Sequence, residues 1–206
     1  MKSFTRRDLL KSTIAMVGGS ALSAPASAAT TTPGAAEGPF YPTVSMRMND
    51  VDNDLVKVAG MVTEAGGEII RLNGKVTSKE GDPLAGYRVE IWQCDVNGRY
   101  LHTSDNRNVT YDKGFQGFGH DITDSDGSYR FRTIKPTTYP SRTPHIHVKV
   151  YDGNRERLTT QFYLHGHALN SSDFLYRRMS TEQALSVSMV FDKNNDVPET
   201  TVNMTI

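Results

Sequence analysis

Pro144-His145-Ile146-His147-Val148-Lys149-Val150-Tyr151 alternates residue type with a period of two. On a β-strand, residues two apart project to the same face. Ile146, Val148 and Val150 therefore share the face that turns to a core, and His145 and His147 share the other. Outward from this stretch the pattern recurs. Tyr87, Val89 and Ile91 alternate with Arg88, Glu90 and Trp92, and residues 128–134 alternate after the turn Asp124-Ser125-Asp126-Gly127. Residues 159–164, 186–191 and 201–206 are further strand candidates. Residues 68–72 and 75–77 flank Asn73-Gly74, a strong hairpin-turn dipeptide. Helical periodicity is confined to residues 172–179 and 181–184. Short strands at roughly 8–12-residue spacing predict a β-sandwich or barrel. Residues 102–120 show no period, and a loop that long inside a compact domain is more often functional than idle.

The chain has 206 residues, and its start reads as an address. Arg6-Arg7-Asp8-Leu9-Leu10-Lys11 precedes a modest apolar run at residues 14–22 and then Ala26-Ser27-Ala28. That is a basic region, a short apolar region and a small-residue cleavage site; it resembles a twin-arginine export signal. The run falls well short of the roughly 20 residues that span a bilayer, so no stable membrane span is expected. Periplasmic or extracellular export is. Residues 29–36 read as a flexible lead-in and residues 37–206 as one domain, without repeats, low-complexity tracts or linkers. Residues 1–28 hold four of the 23 Lys and Arg and one of the 23 Asp and Glu, leaving the remainder near −3. No basic stripe remains, so nucleic acid is not a partner. Cys94 is the only cysteine, which excludes an intrachain disulfide framework.

The two strand histidines carry the chemistry. Their Cα atoms lie about 6–7 Å apart, close enough for both imidazoles to meet one metal. Taken alone, the pair equally suits ordinary surface or hydrogen-bonded histidines. Tyr139 stands six residues before His145. Tyrosinate is a hard anionic donor suited to a hard trivalent ion such as Fe(III). A free tyrosine titrates near pKa 10, so only a strongly Lewis-acidic ion would hold it ionised at neutral pH. A zinc hydrolase using His145, His147 and a carboxylate is a competing reading, although no acid motif is adjacent. Taken without further context, Tyr100 fits a strand-end aromatic, Tyr139 a turn residue and Arg142 a solvated cation. His165 and His167 form a second pair at a turn and read as surface or substrate-rim residues. His102 and His120 flank the long loop as candidates for a pocket mouth. Trp92 and Cys94 read as core.

Seven segments occur in a telling order: Glu37-Gly38-Pro39-Phe40-Tyr41-Pro42, Pro83-Leu84-Ala85-Gly86, Val89-Glu90-Ile91-Trp92-Gln93-Cys94-Asp95, Gly98-Arg99-Tyr100, Thr123-Asp124-Ser125-Asp126-Gly127, Phe131-Arg132-Thr133-Ile134-Lys135-Pro136 and Pro144-His145-Ile146-His147. Together they resemble the protocatechuate 3,4-dioxygenase branch of the intradiol ring-cleavage dioxygenases. The resemblance covers nearly all of the chain beyond the leader. It implies a mainly β fold, a two-sheet mixed β-sandwich with long loops and few short helices. It implies one non-haem Fe(III) per chain, held by Tyr100, Tyr139, His145 and His147. Arg142 then lies beside the bound ring, and Gln161 orients that arginine. The substrates implied are a catechol-type ring and O2, with cleavage between the hydroxyl-bearing carbons to a cis,cis-muconate-type diacid. Tyr139 is the ligand displaced by substrate, while Tyr100 stays bound.

Two departures from the family pattern matter. Only five residues separate Tyr139 from His145, and Ser141 stands where an aromatic often follows Tyr-Pro. A larger or differently substituted ring is therefore expected to fit. The long helical region through which the catechol 1,2-dioxygenase branch usually dimerises has no counterpart here, which leaves a homo-oligomer open. The competing function is a non-catalytic β-sandwich binding module, since a fold alone decides nothing; it predicts no bound iron.

Overall fold

Period-two alternation becomes ten strands and one short helix in the computed structural model, which describes residues 30–192 and 196–206. The export signal expected at residues 1–28 lies outside the described residues. In chain order the elements are β1 (Ile69–Thr77), β2 (Arg88–Trp92), β3 (Phe118–Ile122), β4 (Ser128–Ile134), β5 (His145–Asp152), β6 (Arg155–Leu164), α1 (Thr181–Ser186), β7 (Ser188–Met189), β8 (Phe191–Asp192), β9 (Glu199–Thr201) and β10 (Met204–Thr205). The first sheet is built on β1, antiparallel to β4 on one side and parallel to β9 and β10 on the other. The second runs β3-β2-β5-β6-β7, antiparallel except for the parallel β6–β7 pair.

Ile70, Leu72, Val76 and Phe131 of the first sheet meet Val89, Ile91, Ile146, Val148, Val150 and Phe162 of the second in one buried cluster. Each fully buried side chain of this size stabilises the fold by about 1.5–3 kcal/mol. The result is a two-sheet mixed β-sandwich, not a barrel, with the apolar face of β5 inside as its alternation predicts. No helix among the described residues is long and apolar enough to cross a membrane.

Several local expectations give way to tertiary packing. Asn73-Gly74 is not a turn; β1 runs straight through it, opposite Arg130 and Tyr129 of β4. A Cβ on Gly74 would lie 1.9 Å from the Val202 carbonyl oxygen and 2.6 Å from the Tyr129 hydroxyl. Glycine is there for a close backbone approach, its other common use in a strand. Residues 172–179 hold only the 3-10 turn Tyr176–Arg178, and the Asp173 carboxylate before it accepts the backbone N–H groups of Leu175 and Tyr176. The strand expected over 186–191 starts at Ser188, since α1, opened by a Ser180–Gln183 capping box, extends to Ser186. β3 arises within the unpatterned 102–120 stretch. Residues 30–36, read as a loose lead-in, are laid along the fold. Thr32 donates its N–H to Thr205, Ala35 donates to Thr159, and the Thr160 hydroxyl donates to Pro33.

Strand register on the outer face of the second sheet sets up the site. Trp92, His147 and Gln161 stand in one cross-strand row, and Glu90, Lys149 and Thr159 in the next.

Candidate metal centre

His145 opens β5 and His147 follows on the same face, both almost fully buried. Their Nε2 atoms are 3.1 Å apart, and His147 Nε2 is 3.1 Å from the Tyr100 hydroxyl. Tyr100 comes from the loop after β2, where the Asp105 carboxylate accepts its backbone N–H at 2.8 Å. The Tyr139 ring meets the Tyr100 ring edge-on at 5.3 Å and lies 5.6 Å from the His145 ring. The four sequence-predicted donors thus converge. Trp92 stacks on His147 at 4.7 Å, and Phe40 stacks on Tyr100 at 4.7 Å.

Burial pushes the pKa of His145 down to about 4 and that of His147 well below the ordinary imidazole value. Both rings are therefore neutral at pH 7, the form that offers a lone pair to a metal. His145 donates its Nδ1–H to the Thr143 carbonyl at 2.7 Å, so its Nε2 is a free acceptor aimed at the cluster. This support of the second ring nitrogen is the usual device for orienting a ligating histidine. Burial raises the pKa of Tyr100 and, against the pull of Arg142, that of Tyr139. Only a bound cation would make these phenols anionic at neutral pH. At 3.1 Å, His147 Nε2 is close enough to both His145 Nε2 and the Tyr100 hydroxyl for one ion to meet all three. No three His, Cys, Asp or Glu residues among those described come together to hold a metal. The arrangement of His145, His147 and a carboxylate required for a zinc hydrolase is not formed; the imidazoles are joined by phenols.

Arg142 is 9% exposed and fixed on three sides. Its Nε donates to Asp173 Oδ2 at 2.7 Å, one terminal nitrogen donates to Gln161 Oε1 at 2.6 Å, and the other lies 3.5 Å from the Tyr139 hydroxyl. Gln161 is thus beside the arginine as its motif implies, held in turn by the Tyr163 hydroxyl and the Ala36 carbonyl. Ser141 closes the short loop with a left-handed φ of 70°, and this turn pairs Tyr139 with Arg142.

A family model described as Dioxygenase matches residues 36–206. The chain belongs to the intradiol ring-cleavage dioxygenase family. It is 37% identical over 138 residues to the protocatechuate 3,4-dioxygenase beta chain of Burkholderia cepacia, covering 63% of this chain and 59% of that protein. It is 30% identical over 163 residues to catechol 1,2-dioxygenase 1 of Acinetobacter lwoffii, covering 70% of this chain and 50% of that one. The chain therefore spans between half and three fifths of these curated relatives. Among solved structures, the dioxygenase domain of a dioxygenase carbohydrate-binding protein fusion from Streptomyces sp. SirexAA-E matches with a TM-score of 0.65 at 30% identity. That match covers 86% of this chain and 98% of the other.

Around this intradiol centre, three contributors escape the sequence reading. Asp173 is one, 31 positions from Arg142 in a segment read only as a short helix. Gly38, with φ of 78°, is another; a Cβ there would sit 3.3 Å from His147 Cε1. Phe40, the ring over Tyr100, is the third. Gly38 and Phe40 lie in the Gly-Pro-Phe-Tyr motif, so the signal was present without a role attached to it. The remaining histidines stand apart from the donor cluster. His165 is exposed, and His167 accepts the N–H of Leu169 at a 3-10 turn. His120, opposite Glu90, lines a cavity containing none of the four donors. His102 touches Phe40 edge-on at 5.8 Å.

Proposed function

We propose that this chain is an Fe(III)-dependent intradiol dioxygenase that opens catechol-type rings with O2 between the two hydroxyl-bearing carbons, giving cis,cis-muconate-type diacids. The observation that carries the reading is the convergence of two neutral imidazole nitrogens with the buried Tyr100 phenol and the half-buried Tyr139 phenol, with no carboxylate among the described residues joining them. Tyr100, Tyr139, His145 and His147 would hold the ion. Bound there, Fe(III) supplies Lewis acidity that polarises a chelated ring toward oxygen. The remaining work falls to the chain. The Tyr139 oxygen would accept a proton from a hydroxyl of the incoming ring. Tyr100, fixed beneath Phe40 and by Asp105, stays where it is. Arg142 presents an oriented N–H toward the Tyr139 oxygen, where negative charge on the ring would develop. Trp92, Phe40 and Gly38 wall the site and keep water from the reacting ring.

Oxygen uptake over catechol, protocatechuate, hydroxyquinol and chlorinated catechols, with the product identified by mass spectrometry, tests the reading. It predicts one O2 per ring and a ring-opened diacid. Uptake with none of the panel by iron-loaded protein would favour the binding-module reading. The proposal includes twin-arginine export to the periplasm or beyond. Replacing Arg6 and Arg7 together by lysine should strand the protein in the cytoplasm, and unchanged fractionation would count against that route.

A further inference from the structure

Asp173 is 2% exposed, and four donors converge on its two oxygens. Oδ2 accepts from Arg142 Nε at 2.7 Å and from the Thr143 N–H at 3.1 Å. Oδ1 accepts from the N–H groups of Leu175 and Tyr176 at 3.0 and 3.1 Å. Only an ionised carboxylate is acceptor-only on both oxygens; asparagine would turn an NH2 group toward two of these donors. Burial alone would raise the Asp173 pKa, but the Arg142 and backbone hydrogen bonds outweigh it and keep the group ionised.

The geometry points to Asp173 as the positioning residue that aims Arg142 at the bound ring, a role that rests on the ring-cleavage reading above. Without the Nε bond, the guanidinium keeps Gln161 at 2.6 Å on one terminal nitrogen and only the long 3.5 Å contact to Tyr139 on the other, and can pivot about Gln161. With it, two fixed points define the guanidinium plane, and the second terminal nitrogen is held toward the Tyr139 oxygen. The Phe174 ring lies 5.3 Å from the guanidinium carbon and completes the seat. The buried carboxylate also balances the arginine charge. Arg142 thus acts through a directed N–H and not as a loose cation, and a lysine, lacking the planar fork, would not replace it.

The test is a double-mutant cycle on the iron-loaded full chain, with unsubstituted catechol as probe. Arg142→Ala should lower kcat by about 100–1,000-fold. Asp173→Asn should lower kcat by a large part of that factor while retaining iron and the visible band of the resting protein. The double variant should be no slower than Arg142→Ala, within about twofold, because Asp173 has nothing left to aim. Multiplying losses, or an Asp173→Asn protein as fast as wild type, would overturn the role. Should Asp173→Asn alone fail to fold, with an arginine buried beside no charge, the comparison of Arg142→Ala with the double variant still decides. A further tenfold loss there would assign Asp173 to the loop and not to the arginine. Wild-type protein that binds iron yet turns over no ring would instead sink the ring-cleavage reading, and this inference with it, before any variant is compared.

Discussion

Replacing Lys149 by methionine should loosen the segment that walls the metal centre. Lys149 follows His147 on the outer face of β5 and is 4% exposed, its ammonium paired with Glu37 and with Glu156 at 2.9 Å, and lying 4.5 Å from the Tyr41 ring centre. Glu37 starts the run that lays Gly38 against His147 and Phe40 on Tyr100. Charge-assisted hydrogen bonds contribute about 1.5–3 kcal/mol when well buried. Here the carboxylates are 44% and 47% exposed, so solvent screening reduces each pair. A total near 1–2 kcal/mol remains, about 2–8 °C in Tm for a domain of this size.

The pH dependence fixes the sign. Burial alone would lower the Lys149 pKa, but its carboxylate partners raise it above the ordinary lysine value. Its stabilisation is therefore complete below about pH 10. The Glu156 pKa is lowered, by Thr159 first and Lys149 second, so its share is present above about pH 4.3 and fades as pH falls through the folded value. The Tm gap between wild type and Lys149→Met should be flat from pH 6 to 9 and narrow below about pH 4. Turnover should fall while iron is retained. A gap absent at pH 7, or widening in acid, would refute this reasoning.

His147→Ala should lose most bound iron, measured by elemental analysis, whereas His167→Ala should keep it, since His167 contacts the Leu169 N–H and the Thr143 hydroxyl and none of the four donors. Equal losses would mean the wrong pair has been chosen. Tyr139→Phe should still bind iron but show slower anaerobic catechol binding by stopped flow. Tyr100→Phe should change the colour of the catechol complex itself, and interchanged phenotypes would reverse the two roles. Gly74→Ala should cost at least about 1–3 kcal/mol in chemical denaturation, because its Cβ meets the Val202 backbone and the buried Tyr129 ring, neither of which can swing away.

The second sheet was readable because alternation in β2 and β5 survives intact, with Val89, Ile91, Ile146, Val148 and Val150 all in the core. β3 was not, because Gly119 interrupts its pattern. That glycine exists for a contact far away in sequence, where a Cβ would lie 2.4 Å from the Asp52 carbonyl oxygen. Gly74 misled for the same reason: a glycine needed for approach looks like one needed for a turn. The candidate metal donors were legible as motifs; strand register sets His147 between Trp92 and Gln161, and the loops after β2 and β4 bring Tyr100 and Tyr139 to it. Asp173 was invisible because a buried carboxylate serving an arginine from another loop leaves no periodic trace.

The measurement that bears most directly on the central claim is the metal content and visible absorption of protein purified after iron-replete growth. Two tyrosinates on Fe(III) give charge-transfer absorption in the visible, so the account predicts a coloured protein with one iron per chain. A colourless protein carrying stoichiometric zinc, or no metal, would contradict it.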